Sequence, residues 1–275
     1  MRNYKIVKKT ESFRVGYFKT SIIALLSVFC VANAYSQEVS LEDFDSLRND
    51  KNWELEFEDS CNDNWKDSWF LDGLRADVKN TEQGMVFSAG PIEKDDSCHA
   101  VLWTKQSFSG DIKIEYNYTR LDSQTKQVNI LYIQATGEKP YEKDIEIWKD
   151  ERIIPSMRMY FNHMNALHIS YAAFGDDQEY VRARRYPRKT DQDFQLTEIP
   201  PSFYNTGLFK TGETYKITVI KKNDRLFFQV QNAEVNRLFQ WQLKPEQLLD
   251  DGRVGLRHMY TRSSLYRNFK IYTSK

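Results

Sequence analysis

Apolar and polar residues alternate in seven stretches of this chain, and that alternation leaves little choice of fold. The stretches are GDIKIEYNYTR (110–120), QVNILYIQATG (127–137), LHISYAAFG (167–175), EYVRARRYP (179–187), TYKITVIKKN (214–223), RLFFQVQN (225–232) and RVGLRHM (253–259). Successive side chains of a strand point to opposite sides of its sheet, so each stretch offers one face to a core and keeps the other. Turn formers separate them: Ser109-Gly110, Gly137, Gly175-Asp176-Asp177, Asn223-Asp224 and Asp251-Gly252. Many short strands at this spacing predict an all-β fold, a sandwich or barrel of antiparallel sheets. Helical periodicity is scarce. EKDIEIWKDERI (142–153) and KPEQLLDD (244–251) read as short helices or turns, and residues 39–60 as a lead-in followed by a first strand.

The N-terminus has a different character. MRNYKIVKKTESFRVGYFKT is basic, and SIIALLSVFCVANA is a short apolar run ending in small residues. This is the layout of a secretory signal, with cleavage after Ala34 or Ser36. The apolar run falls short of the ~20 residues a spanning helix needs. The expectation is a signal peptide over 1–36, a single domain over 37–275, and an exported protein, periplasmic or secreted, with no membrane insertion after cleavage. Formal net charge is zero. That argues against a nucleic-acid partner bound through bulk charge, which needs a basic surface to displace phosphate counterions. Beyond the signal two cysteines remain, Cys61 and Cys98. They can be bridged in an oxidising compartment or stay as free buried thiols, and their spacing does not suggest a metal site.

Alternation also assigns faces. In LHISYAAFG, Leu167, Ile169, Tyr171 and Ala173 share one face, and His168, Ser170, Ala172 and Phe174 the other. In YVRARRYP, Val181 and Ala183 oppose Tyr180, Arg182, Arg184 and Tyr186; in NILYIQATG, Leu131 and Ile133 oppose Tyr132 and Gln134. Ordinary solvated faces of antiparallel sheets favour Lys, Glu and Thr. A face of His, Tyr, Arg and Gln has the character of a recognition surface. On such a face aromatics stack on sugar rings and planar polar groups take hydroxyls. Guanidinium groups fork onto carboxylate or sulfate, and Arg182, Arg184 and Arg185 lie together, with Arg257 and Arg262 near the final strand. An anionic sugar follows, a uronate or a sulfate ester, unless these arginines form structural ion pairs. On a uronic acid, the chemistry open to such a face is β-elimination. An arginine neutralises the carboxylate, a histidine or tyrosine removes the C5 proton, and another helps the C4 substituent leave. Imidazole suits the task because its ordinary pKa is close to neutral. Candidate catalytic residues are His168, His99, His258 and Tyr180. Candidate substrate contacts are Arg182, Arg184, Arg262, Trp103, Tyr132, Gln134 and Glu115. Hydrolysis by paired carboxylates is the competing chemistry. Its best candidate is Glu115, because Glu56-Phe57-Glu58-Asp59 and Asp144-Ile145-Glu146 lack the spacing of jelly-roll hydrolases. No nucleophile elbow, phosphate loop or zinc signature is present, and no cofactor is expected beyond a structural calcium bound by scattered oxygens.

The closing segment, DGRVGLRHMYTRSSLYRNFKIYT, resembles the end of concanavalin A-like jelly rolls. The chain also resembles the YesU-like group of concanavalin A-like proteins. That resemblance rests on W-x3-W-x-LDG (65–73), GMVFSAGP (84–91), HAVLWTKQSFSGDIKIEYNYTR (99–120), ILYIQATG (130–137), PSMRMYFNHMNALHISYAAF (155–174), YVRARRYP (180–187) and GLRHMYTRSSLYRNFKIY (255–272). It implies a concanavalin A-like β-jelly roll, a two-sheet antiparallel sandwich with few short helices. It also implies a part in breaking down uronate-containing polysaccharides such as rhamnogalacturonan and ulvan, as an oligosaccharide dehydratase or lyase. A carbohydrate-binding protein without catalysis is the alternative.

Overall fold

A computed structural model describes residues 39–175, 178–189 and 194–274. The expected signal peptide lies outside the described residues. The unit Gln37–Lys275 is compact. Its strands are β1 (Glu54–Asp59), β2 (Trp69–Asp72), β3 (Asp77–Thr81), β4 (Gly84–Ser88), β5 (Ala100–Ser109), β6 (Asp111–Arg120), β7 (Gln127–Gly137), β8 (Met164–Gly175), β9 (Gln178–Tyr186), β10 (Glu198–Tyr204), β11 (Thr214–Lys222), β12 (Arg225–Gln231), β13 (Asn236–Gln242), β14 (Asp251–His258) and β15 (Ser263–Ser274). They form two sheets. The first runs β13-β12-β11-β6-β15-β4-β3, with β1 also on β15; the second runs β10-β9-β8-β7-β14-β5-β2. Every pairing is antiparallel.

The main core lies between the sheets. Ile112, Ile114, Tyr116 and Tyr118 of β6 meet Leu131, Ile133, Leu167, Ile169, Tyr171, Val181 and Ala183 of the second sheet. These are the apolar partners that alternation assigns to the interior, since one face of each strand must leave water. One assignment is corrected. Ala172 belongs to this core and not to the His168 face. A bulge between Ser170 and Ala173 shifts the register, and Ala172 takes φ 43° there, so the period of two is broken.

Two helices cover the outer faces. α1 (Leu41–Arg48) lies within the expected lead-in, capped by the Ser40 hydroxyl accepting from the Asp43 N–H. It buries Phe44 against Phe227 of the first sheet and against Trp53, which precedes β1. α2 (Met157–His163) ends a longer strap, residues 138–163, that crosses the outer face of the second sheet. Of the two stretches read as short helices or turns, 142–153 forms a 3-10 turn at Lys149–Arg152 and 244–251 one at Pro245–Gln247. Cys61 and Cys98 are both buried and free.

Candidate functional site

Strand register places one row of side chains across all seven strands of the second sheet. Phe70 pairs with Trp103, Trp103 with Gly255, Gly255 with Tyr132, Tyr132 with His168, His168 with Arg184, and Arg184 with Glu198. Adjacent strands are ~4.8 Å apart, so Trp103 to Arg184 spans on the order of 20 Å. Two residues along, a second row runs Asp72, Val101, Arg257, Ile130, Ser170 and Arg182. Both rows face away from the main core. Gly255 is needed here because a Cβ would come within 2.4 Å of the Trp103 ring.

The strap closes over these rows. Tyr160 stacks on Trp103 and Tyr132, with ring centroids 6.4 and 5.9 Å apart. Ile145, Trp148, Tyr160 and Met164 pack with Phe70, Trp103, Tyr132 and Tyr186. Asp72 anchors the strap. Its carboxylate accepts hydrogen bonds from Arg152 Nε (2.6 Å) and Nη2 (3.2 Å), Trp103 Nε1 (2.8 Å) and the Tyr160 hydroxyl (2.8 Å). Burial pushes the Asp72 carboxyl up, and the Arg152 charge opposes that push. Four donors and no acceptor suit the ionised form. Arg152 also donates to the carbonyls of Trp148 (3.1 Å) and Ile145 (2.8 Å).

Beneath the strap is a knot of polar atoms without partners. Both ring nitrogens of His168, the hydroxyls of Tyr132 and Tyr186, and Arg257 Nε and Nη1 form no hydrogen bond among the described residues. The rings cluster: His168 to Tyr186 is 4.7 Å, His168 to Tyr132 5.8 Å and Tyr132 to Tyr186 6.4 Å. Buried polar groups are nearly always satisfied, so six such atoms at one place call for partners from outside the chain, water or a ligand. His168 is 2% exposed. Burial, and then the charges of Arg184, Arg257 and Arg182, hold its imidazole well below the ordinary range. Burial pushes Tyr132 up to about 12 and Tyr186 well above the ordinary range.

Toward β10 the face opens. Arg182 donates to Ser202 Oγ and the Tyr204 hydroxyl (2.8 Å each), pairs with Glu198 (3.1 Å), and lies over the rings of Tyr180 and Tyr204. Arg184 donates to the Phe194 carbonyl and Thr197 Oγ1 (3.0 Å each) and lies 3.5 Å from Glu198. Trp103, Tyr132, His168, Tyr180, Arg182 and Arg184 are therefore brought to one face.

The other candidates are not brought to the His168 knot. Glu115 lies on β6 of the first sheet, 3.4 Å from Lys216, because its neighbours Ile114 and Tyr116 face the main core. Gln134 sits on a register shift with φ 50° and donates to the Phe108 and Gly110 carbonyls (3.2 and 2.9 Å). Arg262 is bound to Asp122 (2.9 Å) and the Ala172 carbonyl (2.6 Å), as a structural brace. His258 is stacked on Phe87 and hydrogen-bonded to the Tyr266 hydroxyl (2.9 Å) on the core side. His99 accepts the Tyr260 N–H at Nδ1 (3.2 Å), stacks on the Tyr260 ring and lies 3.3 Å from Asp96; among the described residues it is joined to the knot only through the charge of Arg257. Arg257 is the member of the site whose sequence signal, a lone arginine in GLRHMY, was ambiguous. Among the described residues no group of three or more His, Cys, Asp or Glu side chains could hold a metal ion.

Burial holds His99 and His258 at about 3. With His168, these imidazoles are neutral in the fold and protonate near 6.5 once unfolded. Below pH 6.5 the unfolded chain binds more protons, so stability is full above about 6.5 and is lost as pH falls. The loss is up to about 1.4 kcal/mol per pH unit for each histidine. Melting curves at about pH 7.5 and 5.5 should show a lower Tm at the acid value, and His99→Gln should reduce the difference. A Tm indifferent to this interval would contradict the neutral, buried assignment.

Comparison with known proteins agrees with the two-sheet jelly roll. A search of curated proteins found no match. Similar solved structures include a protein of unknown function with a galectin-like fold from Bacillus subtilis (15% identity, 81% of this chain, 100% of that chain, TM-score 0.59). Others are the carbohydrate recognition domain of Emp47p (15%, 82% and 99%, 0.53) and lectin II from Ulex europaeus (5%, 79% and 97%, 0.51). At these identities the likeness is one of fold. The family model described as "Domain of unknown function (DUF1961)" matches residues 59–271, and the chain belongs to that family.

Proposed function

We propose that this protein binds carbohydrate on the outer face of its second sheet and eliminates across C4–C5 of a uronic acid there. The observation that carries the reading is the knot of unpaired polar atoms on His168, Tyr132, Tyr186 and Arg257, enclosed by aromatic rings. The carbohydrate part is also supported by the carbohydrate recognition domain and the lectin among its fold neighbours.

In the proposed reaction an arginine neutralises the uronate carboxylate and so acidifies the C5 proton. Neutral His168 takes that proton, the C5–H electrons form the C4=C5 double bond, and the C4–O bond breaks. A tyrosine hydroxyl protonates the departing oxygen, and the proton on His168 returns to the phenolate to close the cycle. Water leaves if C4 carries a hydroxyl, and a sugar leaves if it carries a glycosidic bond. Near neutral pH the buried imidazole is unprotonated and the buried phenol protonated, the starting states these two roles require. The substrate would be a uronate-containing oligosaccharide of the ulvan or rhamnogalacturonan type, met outside the cytoplasm if residues 1–36 direct export.

A second reading is a binding protein without catalysis. Arg182, half-buried between Tyr180 and Tyr204, is the kind of contact that holds a sugar without chemistry. Mass spectrometry on a panel of glucuronan, pectic and ulvan oligosaccharides separates the two. A product lighter by one water, or cleavage leaving an unsaturated uronyl end, is the expected result. Saturable calorimetric binding with unchanged masses supports the second reading, and products heavier by water would overturn elimination in favour of hydrolysis.

A further inference from the structure

We infer that Arg257 is the group that receives the ligand's carboxylate, completing an anion site with the hydroxyls of Tyr132 and Tyr186 beside His168. The inference rests on the uronate reading above and names the residue that makes it specific. The other arginines of this face are committed. Arg152 is paired with Asp72, Arg182 and Arg184 with Glu198, and Arg253 with Asp144 and Glu146 (2.9 and 3.1 Å). Arg257 is fully buried and has no acidic partner among the described residues. One of its donors reaches the Pro155 carbonyl through Nη2 (2.6 Å), and its guanidinium lies 4.4 Å from the Tyr160 ring centroid. Nε and Nη1 are left without acceptors.

A guanidinium buried without a counter-ion is expensive to hold. Such a group is kept where a ligand supplies the missing charge, and a site that breaks local rules in this way is usually functional. The unused donors of a guanidinium match the two oxygens of a carboxylate in a fork that lysine cannot form. Two further orphan donors, the Tyr132 and Tyr186 hydroxyls, share the knot. The Arg257 charge and a polar contact from its guanidinium draw the Tyr132 phenol down against burial, so the two side chains face one another beside His168. Through Pro155 the same arginine touches the strap, so ligand binding and strap position meet at one side chain.

The test compares two probes that differ only at C6: a β-1,4-linked glucuronic acid trisaccharide and cellotriose. Calorimetry on the full chain should show the acid bound about 10- to 100-fold more tightly by the wild type. Arg257→Met should bring that ratio close to one while the Tm of the ligand-free protein is unchanged or raised, because an unpaired buried charge has been removed. Arg257→Lys, which keeps the charge without the fork, should retain only part of the preference and decides the matter if the methionine variant does not fold. A variant with the wild-type ratio would overturn the assignment and leave carbohydrate binding intact, as would a wild type that binds both probes equally. A wild type that binds neither these nor any oligosaccharide of the uronate panel would overturn the carbohydrate reading and this inference with it.

Discussion

Replacing Asp72 with alanine is expected to lower stability by about 3–5 kcal/mol, the usual cost of stranding one partner of a buried ion pair. For a domain of this size that is a fall in Tm of roughly 10 °C. Asp72 and Arg152 are both fully buried and 2.6 Å apart. Without the carboxylate, the guanidinium keeps its bonds to the Trp148 and Ile145 carbonyls but loses its counter-charge, and the Trp103 indole and Tyr160 hydroxyl lose their acceptor. Asp72→Asn should do less damage, since an amide oxygen still accepts part of this set. The damage should also be local: hydrogen exchange over residues 145–163 should rise before that of β6 or β11. A Tm within about 2 °C of wild type would mean that the strap is held by its apolar contacts and that the Asp72 network adds little to them.

That network shows where reading the sequence stops. Asp72 and Arg152 are 80 residues apart, and nothing local to either announces the other. The Asp72 position was visible only as part of the LDG motif. Period-two alternation, by contrast, is a local signal, and it placed Leu167, Ile169 and Tyr171 in the core and His168 and Ser170 on the opposite face. It failed at Ala172 because a bulge inserts a residue into the count. It also failed to show that the His168 face is covered. The covering helix, MRMYFNH, is only two turns long, too short for its apolar stripe to be read as periodicity. Glu115 lies away from the His168 face for a different reason. Alternation gives a face, but not the sheet to which a strand belongs, and β6 lies in the sheet opposite His168.

Replacing His168 with alanine is expected to reduce kcat on a uronate oligosaccharide by about 10²- to 10⁴-fold, the range for removing a general base, with little change in Tm. The imidazole makes no hydrogen bond with either nitrogen among the described residues, so its removal breaks none and relieves two unsatisfied buried atoms. What is lost is packing against Tyr186 and Tyr132. His258→Ala should behave in the opposite way, because it removes a stacked, hydrogen-bonded ring from the core side and is remote in role from the knot. The pH profile adds a readout that packing alone would not move. In the free protein the charges of Arg184, Arg257 and Arg182 help hold His168 unprotonated well below its ordinary range. A bound carboxylate cancels part of that field and raises the proton affinity of the imidazole. The acid limb of kcat, which reports the complex, should therefore lie at higher pH than the acid limb of kcat/KM, which reports the free protein. Turnover that survives His168→Ala while Tm falls would assign the histidine to packing. A wild type that binds uronate oligosaccharides without changing them, and whose affinity alone responds to this substitution, would make the knot a recognition site and not a catalytic one.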